Sequence, residues 1–327
     1  MFKRKRCLAD NIFVICNSIF MIFIVVITLY PLIFVFSASI SDPILVSTGQ
    51  MLLFPKGVTL SGYEKLFEYT DLWVGYANTI LYTVGGTLLN LLVTLPCAYA
   101  LSRKDFKAKN VVMIFFVITM YFGGGLIPTY LNIKSFGLVD TRACIMLMGL
   151  VSTSNLIVCR TFFQNSIPWE LQEASMIDGA SDMRIFINVV IPLSKPIIAV
   201  MAMYYGVAHW NSYFTPMVYL KTRSKFPLQL ILKEILTDAK LSADSLASAI
   251  DAEEVAAMMK ISETANLLKY GVIVLSTLPM MIIYPFLQKY FEKGVMIGSV
   301  KGYAHKQSRR LTIKYYWIYI KKVDTFS

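Results

Sequence analysis

The sequence predicts an all-α integral membrane protein with six transmembrane helices. Three observations carry that prediction. The chain of 327 residues is 56% hydrophobic, with a mean hydropathy of +0.59. Only 16% of its residues are charged, against about 25% in soluble domains. The charges also cluster, so that residues 11–41, 72–102, 110–133, 143–159, 196–220 and 270–288 contain none.

A helix needs roughly 20 apolar residues to cross the hydrocarbon core of a bilayer. The neutral stretches place spans at about 12–36, 77–101, 110–131, 143–163, 194–219 and 269–288. The first follows a basic MFKRKR and resembles a secretory signal. Its apolar stretch exceeds an h-region of about 7–15 residues, so it reads as an uncleaved span. Buried helices of a soluble protein would be shorter and would alternate with amphipathic ones.

Lys and Arg fix the expected orientation. Residues 1–10 hold four, 102–109 hold four and 289–327 hold nine. The opposite side has two in 37–75 and two in 132–142. Both termini are therefore expected in the cytoplasm, with the chain multi-pass in the membrane. The loop 221–266 mixes six Lys/Arg with seven Asp/Glu, and loops of that length follow the rule weakly. The net charge of +11 is mostly this asymmetry. Because the basic residues flank spans and form no separate domain, nucleic-acid binding is not indicated.

Chemistry of the usual kinds is missing from the sequence. There is no G-x-x-x-x-G-K-[ST] phosphate loop, no H-E-x-x-H and no G-x-S-x-G elbow. Cys7, Cys16, Cys97, Cys144 and Cys159 form no C-x-x-C pair, so neither a disulfide framework nor a zinc site is expected. No Asp or Glu falls within any of the six spans. Ion-coupled transporters place ionisable groups there, despite a cost of about 2.5–3.5 kcal/mol at mid-membrane. The chain thus reads as a non-enzyme without a cofactor of its own. If it moves a solute, the energy comes from another chain.

The polar segment 164–192 lies between two spans on the expected cytoplasmic side. Ser166 is expected as an N-cap and Pro168 in a first helical turn. Glu170 and Glu173 suit the positive end of the helix dipole. Gly179 permits a backbone reversal that a side chain opposes. Ser181 and Asp182 then cap a second short helix to about Asn188, and Pro192 and Pro196 interrupt the hydrogen-bond ladder before the fifth span. The physical reading leaves two options: a plain amphipathic loop, or a rigid elbow that docks a soluble partner.

The spacing resembles the EAA loop of importer permeases of the ABC superfamily: Glu-Ala-Ala, three residues, Gly, nine residues, then Ile-x-Leu-Pro. Here it reads Glu173-Ala174-Ser175, Gly179 and Val189-Val190-Ile191-Pro192. Ser replaces the second Ala, Val the Ile, and Ile the Leu. Asp178 and Phe186 are similar to the sugar-importer branch. Ala98-Tyr99-Ala100-Leu101-Ser102-Arg103, and Trp210-Asn211 with Pro216, are similar to MalG-like permeases. YFGGGLIPTYL (121–131) and LQKYFEKGVMIGSVKG (287–302) resemble a narrower set, the LplC/YtcP-type permeases for complex oligosaccharides.

That resemblance implies a type I importer permease of MetI-like fold over residues 12–302, between a cytoplasmic N-terminus at 1–11 and an extension at 303–327. It implies carbohydrate import dependent on an extracellular solute-binding protein, a second permease of the MalF/LplB type, and two ATPase subunits that hold ATP and Mg. Glu173, Ala174, Ser175, Asp178, Gly179, Phe186 and Pro192 would form the ATPase-coupling loop. Loop 221–266 would either reach the binding protein or be merely solvated. The basic, aromatic extension could favour an anionic membrane surface, or carry no role. Tyr121, Tyr204, Trp210 and Asn211 are candidates for the substrate path, although aromatic residues in spans also serve as packing and interface anchors. The rival readings are a secondary transporter or channel not driven by ATP, and a membrane-embedded enzyme.

Overall fold

A computed structural model describes residues 8–246 and 268–285. The extension 303–327, the segment 287–302, Cys7 and residues 247–266 of the long loop lie outside the described residues. Every regular element among the described residues is helical. The chain divides into two compact units, Met1–Tyr76 with Phe226–Pro279, and Ala77–Lys225 with Met280–Ser327.

In the first unit, α1 (Leu8–Ser39) is a single long helix. Its side chains from Ile12 to Phe36 are almost all exposed, and the window of highest hydropathy, 2.9, has no buried residue. A helix that is apolar all round and uncovered by protein has hydrocarbon as its natural solvent. Asp42 caps α2 (Pro43–Ser47) by accepting from the Ile44 amide at 2.8 Å. α3 (Ser61–Glu68), the start of α4 (Thr70–Ser102), α14 (Leu228–Leu246) and α15 (Leu268–Pro285) enclose a core of Leu66, Leu72, Leu228, Ile231, Ile235, Leu268 and Val272.

The second unit is built on the rest of α4. Around it lie α5 (Lys109–Tyr121), α6 (Leu126–Ser135), α7 (Arg142–Leu147) and α8 (Thr153–Ser166). They are followed by α9 (Trp169–Ile177), α10 (Asp182–Ile185), α11 (Ile191–Leu193), α12 (Lys195–Trp210) and α13 (Phe214–Tyr219). Its core contains Leu95, Tyr99, Leu101, Leu156, Phe163, Ile185, Phe186, Val190, Ile197 and Met201.

The six neutral stretches do not all become unbroken helices. Among the described residues, three helices are long and apolar enough to cross a bilayer: Asp10–Ser39, Thr70–Ser102 and Leu268–Pro285. The stretch 110–131 stops at Tyr121 and resumes at Leu126 after a bend of 116°. Three consecutive glycines, 123–125, supply the poor helix propensity that allows it. The stretch 143–163 becomes two short helices, α7 and α8, separated at 148–152. The stretch 194–219 ends as a helix at Trp210 and restarts at Phe214. Charge-free length locates apolar segments, but it does not report where the backbone leaves the helix.

Two local expectations are also corrected. Ser166 is the last residue of α8 rather than a cap, and Pro168 occupies the N-cap of α9. A proline drives the residue before it into extended conformation, and Ile167 has φ −108° and ψ 108°. Pro192 does not stop the second arm of the elbow. The chain passes through a π-helical turn, Phe186–Val190, in which the Ile191 amide bonds the Phe186 carbonyl. That wider turn accommodates a proline ring that would crowd a regular helix. The break falls at Ser194, where Asp182–Leu193 and Lys195–Trp210 meet at 83°.

At the Asn78 end of α4, Asp140 takes a left-handed φ of 58°. Its carboxylate accepts from the amides of Lys221 and Thr222, each at 3.0 Å, and from Lys225 Nζ at 3.1 Å. Asn78 and Tyr82 donate to the carbonyls of Ser224 and Lys225 at 2.8 and 2.7 Å. The segment before α7 and the segment after α13 are thereby fastened to one end of α4.

Candidate functional site

The site lies at the other end of α4, where the elbow 164–192 packs. The turn itself is a Schellman motif. The Ala180 amide bonds the Ser175 carbonyl and the Gly179 amide bonds the Met176 carbonyl, both at 3.0 Å. Such a motif requires a left-handed residue after the cap, and Gly179 has φ +76°. A Cβ there would touch nothing within 4 Å, so glycine is required by backbone conformation and not by space. Ser181 then caps α10 through the Arg184 amide at 3.4 Å.

Both arms of the elbow are held by one buried cation. Arg103 follows the last residue of α4 and is 8% exposed. Its Nε donates to Asp105 Oδ1 at 2.9 Å. Its Nη1 donates to Asp182 Oδ1 at 2.7 Å and to the Tyr99 hydroxyl at 3.1 Å. Tyr99 in turn donates to Gln172 Oε1 of α9 at 3.3 Å. The ring of Tyr99 stacks on Phe186 with centroids 5.2 Å apart and meets Phe163 edge-on at 6.4 Å. The guanidinium also lies 6.0 Å from the Trp169 ring, and Lys104 Nζ lies 5.7 Å from it. Arg103 lowers the Asp105 carboxyl below its ordinary range, chiefly through the hydrogen bond, and Asp105 raises the guanidinium in return. The Arg103–Asp105 pair thus favours its ionised form on both sides.

The elbow residues expected from the sequence separate into two groups. Glu173, Ala174, Asp178 and Gly179 are exposed, as is Pro192. Glu173 accepts a short hydrogen bond from Trp169 Nε1, one helical turn away. The Ser175 hydroxyl is returned to its own helix, donating to the Leu171 carbonyl at 2.8 Å. Beside them stand Ile177, 86% exposed, and Met183, 63% exposed. Phe186 belongs to the other group. It is buried in the core against Tyr99, and its contacts are internal.

The four substrate-path candidates differ in their settings. Tyr121 is exposed at the end of α5, Trp210 is buried, and Asn211 caps α12. Tyr204 lines a cavity of about 250 Å³ with Asn155, His209, Ser212 and Thr215. Tyr99 and Arg103 had carried only a family signature, and Trp169, Gln172 and Asp182 had no binding role. An arginine closing a neutral stretch, with an acid two residues on, is a sequence signal for Arg103 alone. Among the described residues no group of His, Cys, Asp or Glu is arranged to hold a metal.

Long apolar helices joined by a polar elbow are the architecture of a multi-pass membrane protein. Residues 70–220 match the family described as "Binding-protein-dependent transport system inner membrane component". Protein LplC of Bacillus subtilis (strain 168) is 35% identical, over 90% of this chain and 96% of that protein. The polygalacturonan/rhamnogalacturonan transport system permease protein YtcP of the same organism is 35% identical, over 86% and 96%. A solved bacterial ABC transporter involved in the import of the acidic polysaccharide alginate has a chain that matches with TM-score 0.77 and 34% identity, over 88% of this chain and 100% of that one. The chain belongs to this family: it is a permease component of an ABC importer, and its role is transport.

Proposed function

We propose that the chain is the permease half of a bacterial importer for a complex sugar or oligosaccharide, driven through its elbow by separate ATPase subunits. The carrying observation is the clamp on Arg103. It ties α9 through Tyr99 and Gln172, and α10 through Asp182, to the end of one long span. A force on the exposed surface at Glu173, Ile177 and Met183 then moves α4 rather than bending a loop. This is rigid-body switching by a partner at a distance.

In this reading Glu173 is the polar contact, Ala174 and Ser175 allow close approach, and Asp178 and Gly179 form the turn. The elbow and both termini face the cytoplasm, and the Asp140 cluster faces outward. A second permease completes the pore, two ATPases bind ATP and Mg, and an extracellular binding protein delivers the sugar. The import names of the relatives support the sugar class. A secondary transporter is disfavoured, because the spans hold no carboxylate away from their ends, where Asp10 and Asp71 stand.

The test is co-expression with the partner subunits in proteoliposomes. Glu173→Ala and Gly179→Leu are expected to leave membrane insertion intact while both sugar uptake and substrate-stimulated ATP hydrolysis fall. Unchanged uptake by the assembled complex would refute the coupling role.

A further inference from the structure

The cavity beside Tyr204 lies in the second unit at the gap between α7 and α8, level with the middle of α4. Asn90, midway between Asn78 and Arg103, holds that gap open. Its Nδ2 donates to the carbonyls of Gly149 and Leu150 at 3.1 and 2.8 Å. Two acceptors on that side assign the amide orientation, so Oδ1 faces His209 Nε2 at 2.7 Å. An amide oxygen only accepts, so Nε2 carries the hydrogen. No acid lines the cavity to balance an imidazolium. The neutral ring then has its Nδ1 lone pair as an acceptor. The close approach is built in, because a Cβ on Gly86 would stand 2.5 Å from Nε2. Tyr205 braces the gap from behind, accepting from the Ser152 amide at 3.3 Å and bonding Thr94 at 2.8 Å.

The lining combines hydroxyls, one amide, one imidazole acceptor and an aromatic face, and it includes no Lys, Arg, Asp or Glu. Its volume of about 250 Å³ would hold roughly eight waters, which is room for one sugar ring. Hydroxyl groups can both donate to Nδ1 and accept from Ser212 or Thr215. A carboxylate would meet an acceptor lone pair with no countercharge. We propose that this cavity is a sugar-ring site of this subunit, selective for a neutral, hydroxyl-bearing ring, with His209 as its fixed acceptor and Tyr204 as its apolar face. The proposal rests on the sugar-import reading and adds a contact and a charge preference to it.

The test uses the assembled complex in nanodiscs, with Ser212→Cys as reporter and a small charged methanethiosulfonate as label. The probes are a pool of neutral gluco-, galacto- and arabino-oligosaccharides and a pool of oligouronates. Labelling is expected in at least one nucleotide state, slowed about fivefold or more by the neutral pool, a modest binding free energy, and hardly at all by the uronates. Ala208→Leu fills the cavity without touching the Asn90–His209 bond and should abolish protection, as should His209→Phe. Equal protection by both pools overturns the proposal. So does labelling that neither pool slows, or a cysteine that no nucleotide state exposes. Uptake of oligosaccharide by the wild-type complex in proteoliposomes separates the two claims. Uptake with an unprotected cysteine refutes the cavity alone, and absence of any uptake refutes both.

Discussion

Arg103 and Asp182 are separated by 79 positions in sequence, and their side chains meet at 2.7 Å. Arg103 is nearly buried, whereas the Asp182 side chain is 74% exposed. The bond therefore joins an interior strut to a surface arm. An exposed ion pair contributes only about 0.2–1 kcal/mol, so its value here is geometric: it sets the angle at which α10 leaves the turn.

Removing the cation is expected to do more damage than removing either acid. Arg103→Met strips Tyr99, Asp105 and Asp182 of one shared partner, and should destabilise the elbow by about 1–3 kcal/mol. Asp182→Asn leaves Arg103 still paired with Asp105. A double-mutant cycle between 103 and 182, read by thermal unfolding of the complex, should give a coupling of about 0.5–1 kcal/mol. Sugar taken up per ATP hydrolysed should fall in Arg103→Met before assembly is lost.

Gly179 is a conformational requirement with open space around it, and substitutions there have a predictable order. A side chain in the left-handed region costs about 1–2 kcal/mol, with Asn tolerated best. Gly179→Asn should retain most uptake, and Gly179→Ala and Gly179→Leu should lose it to similar extents, because no neighbour distinguishes their sizes. A graded loss of uptake with side-chain volume in the assembled complex, mirrored by a graded loss of thermal stability in the permease pair, would contradict that assignment.

Phe186 and Ile177 should behave as opposites. Phe186→Ala removes a ring from the core and should cost about 3–5 kcal/mol of stability. Ile177→Ala should leave unfolding unchanged, and under the coupling proposal should weaken ATPase association about tenfold in a pull-down titration. Equal stability losses would place Ile177 in the fold.

The carboxyls of Asp105 and Asp140 are both lowered, the first by the hydrogen bond from Arg103 and the second by the hydroxyl and amides of Thr222 and Lys221. A lowered native pKa adds stability above the unfolded value of about 3.9 and loses it as pH falls through the native value. Unfolding temperature should therefore be flat from neutrality to about pH 5, then drop. Asp140→Asn should be less stable than the parent at pH 7, and the gap should narrow below about pH 4. A gap independent of pH would show that the Asp140 contacts do not depend on its charge.

Much of the elbow was legible in the sequence, because a left-handed turn, a cap and a proline each leave a local mark. Gly179 and Ser181 are of this kind. Phe186 was not legible as a core residue, since motif spacing counts positions without saying which face they take. The π-helical turn that follows adds a residue and shifts that face again. The breaks at 122–125 and 148–152 left only glycines as a trace, and a hydropathy window averages across them. The Arg103–Asp182 bond left none, because a pairing across 79 positions has no local periodicity. Span number was read from charge-free length, and that measure cannot distinguish one straight helix from two bent ones.

The Asp140 cluster has a mechanical corollary for α4. Asn78 and Arg103 are 25 residues apart, about 37 Å at 1.5 Å per residue. Hydrogen bonds pin one end to two loop segments, and charge pins the other to the elbow. A rod secured at one tip and again eight residues inside the other has little freedom to slide along its axis. Under the coupling proposal, work arriving at the Arg103 end would emerge as a swing about the Asp140 anchorage, with its largest sideways stroke at the elbow and its smallest at the fulcrum.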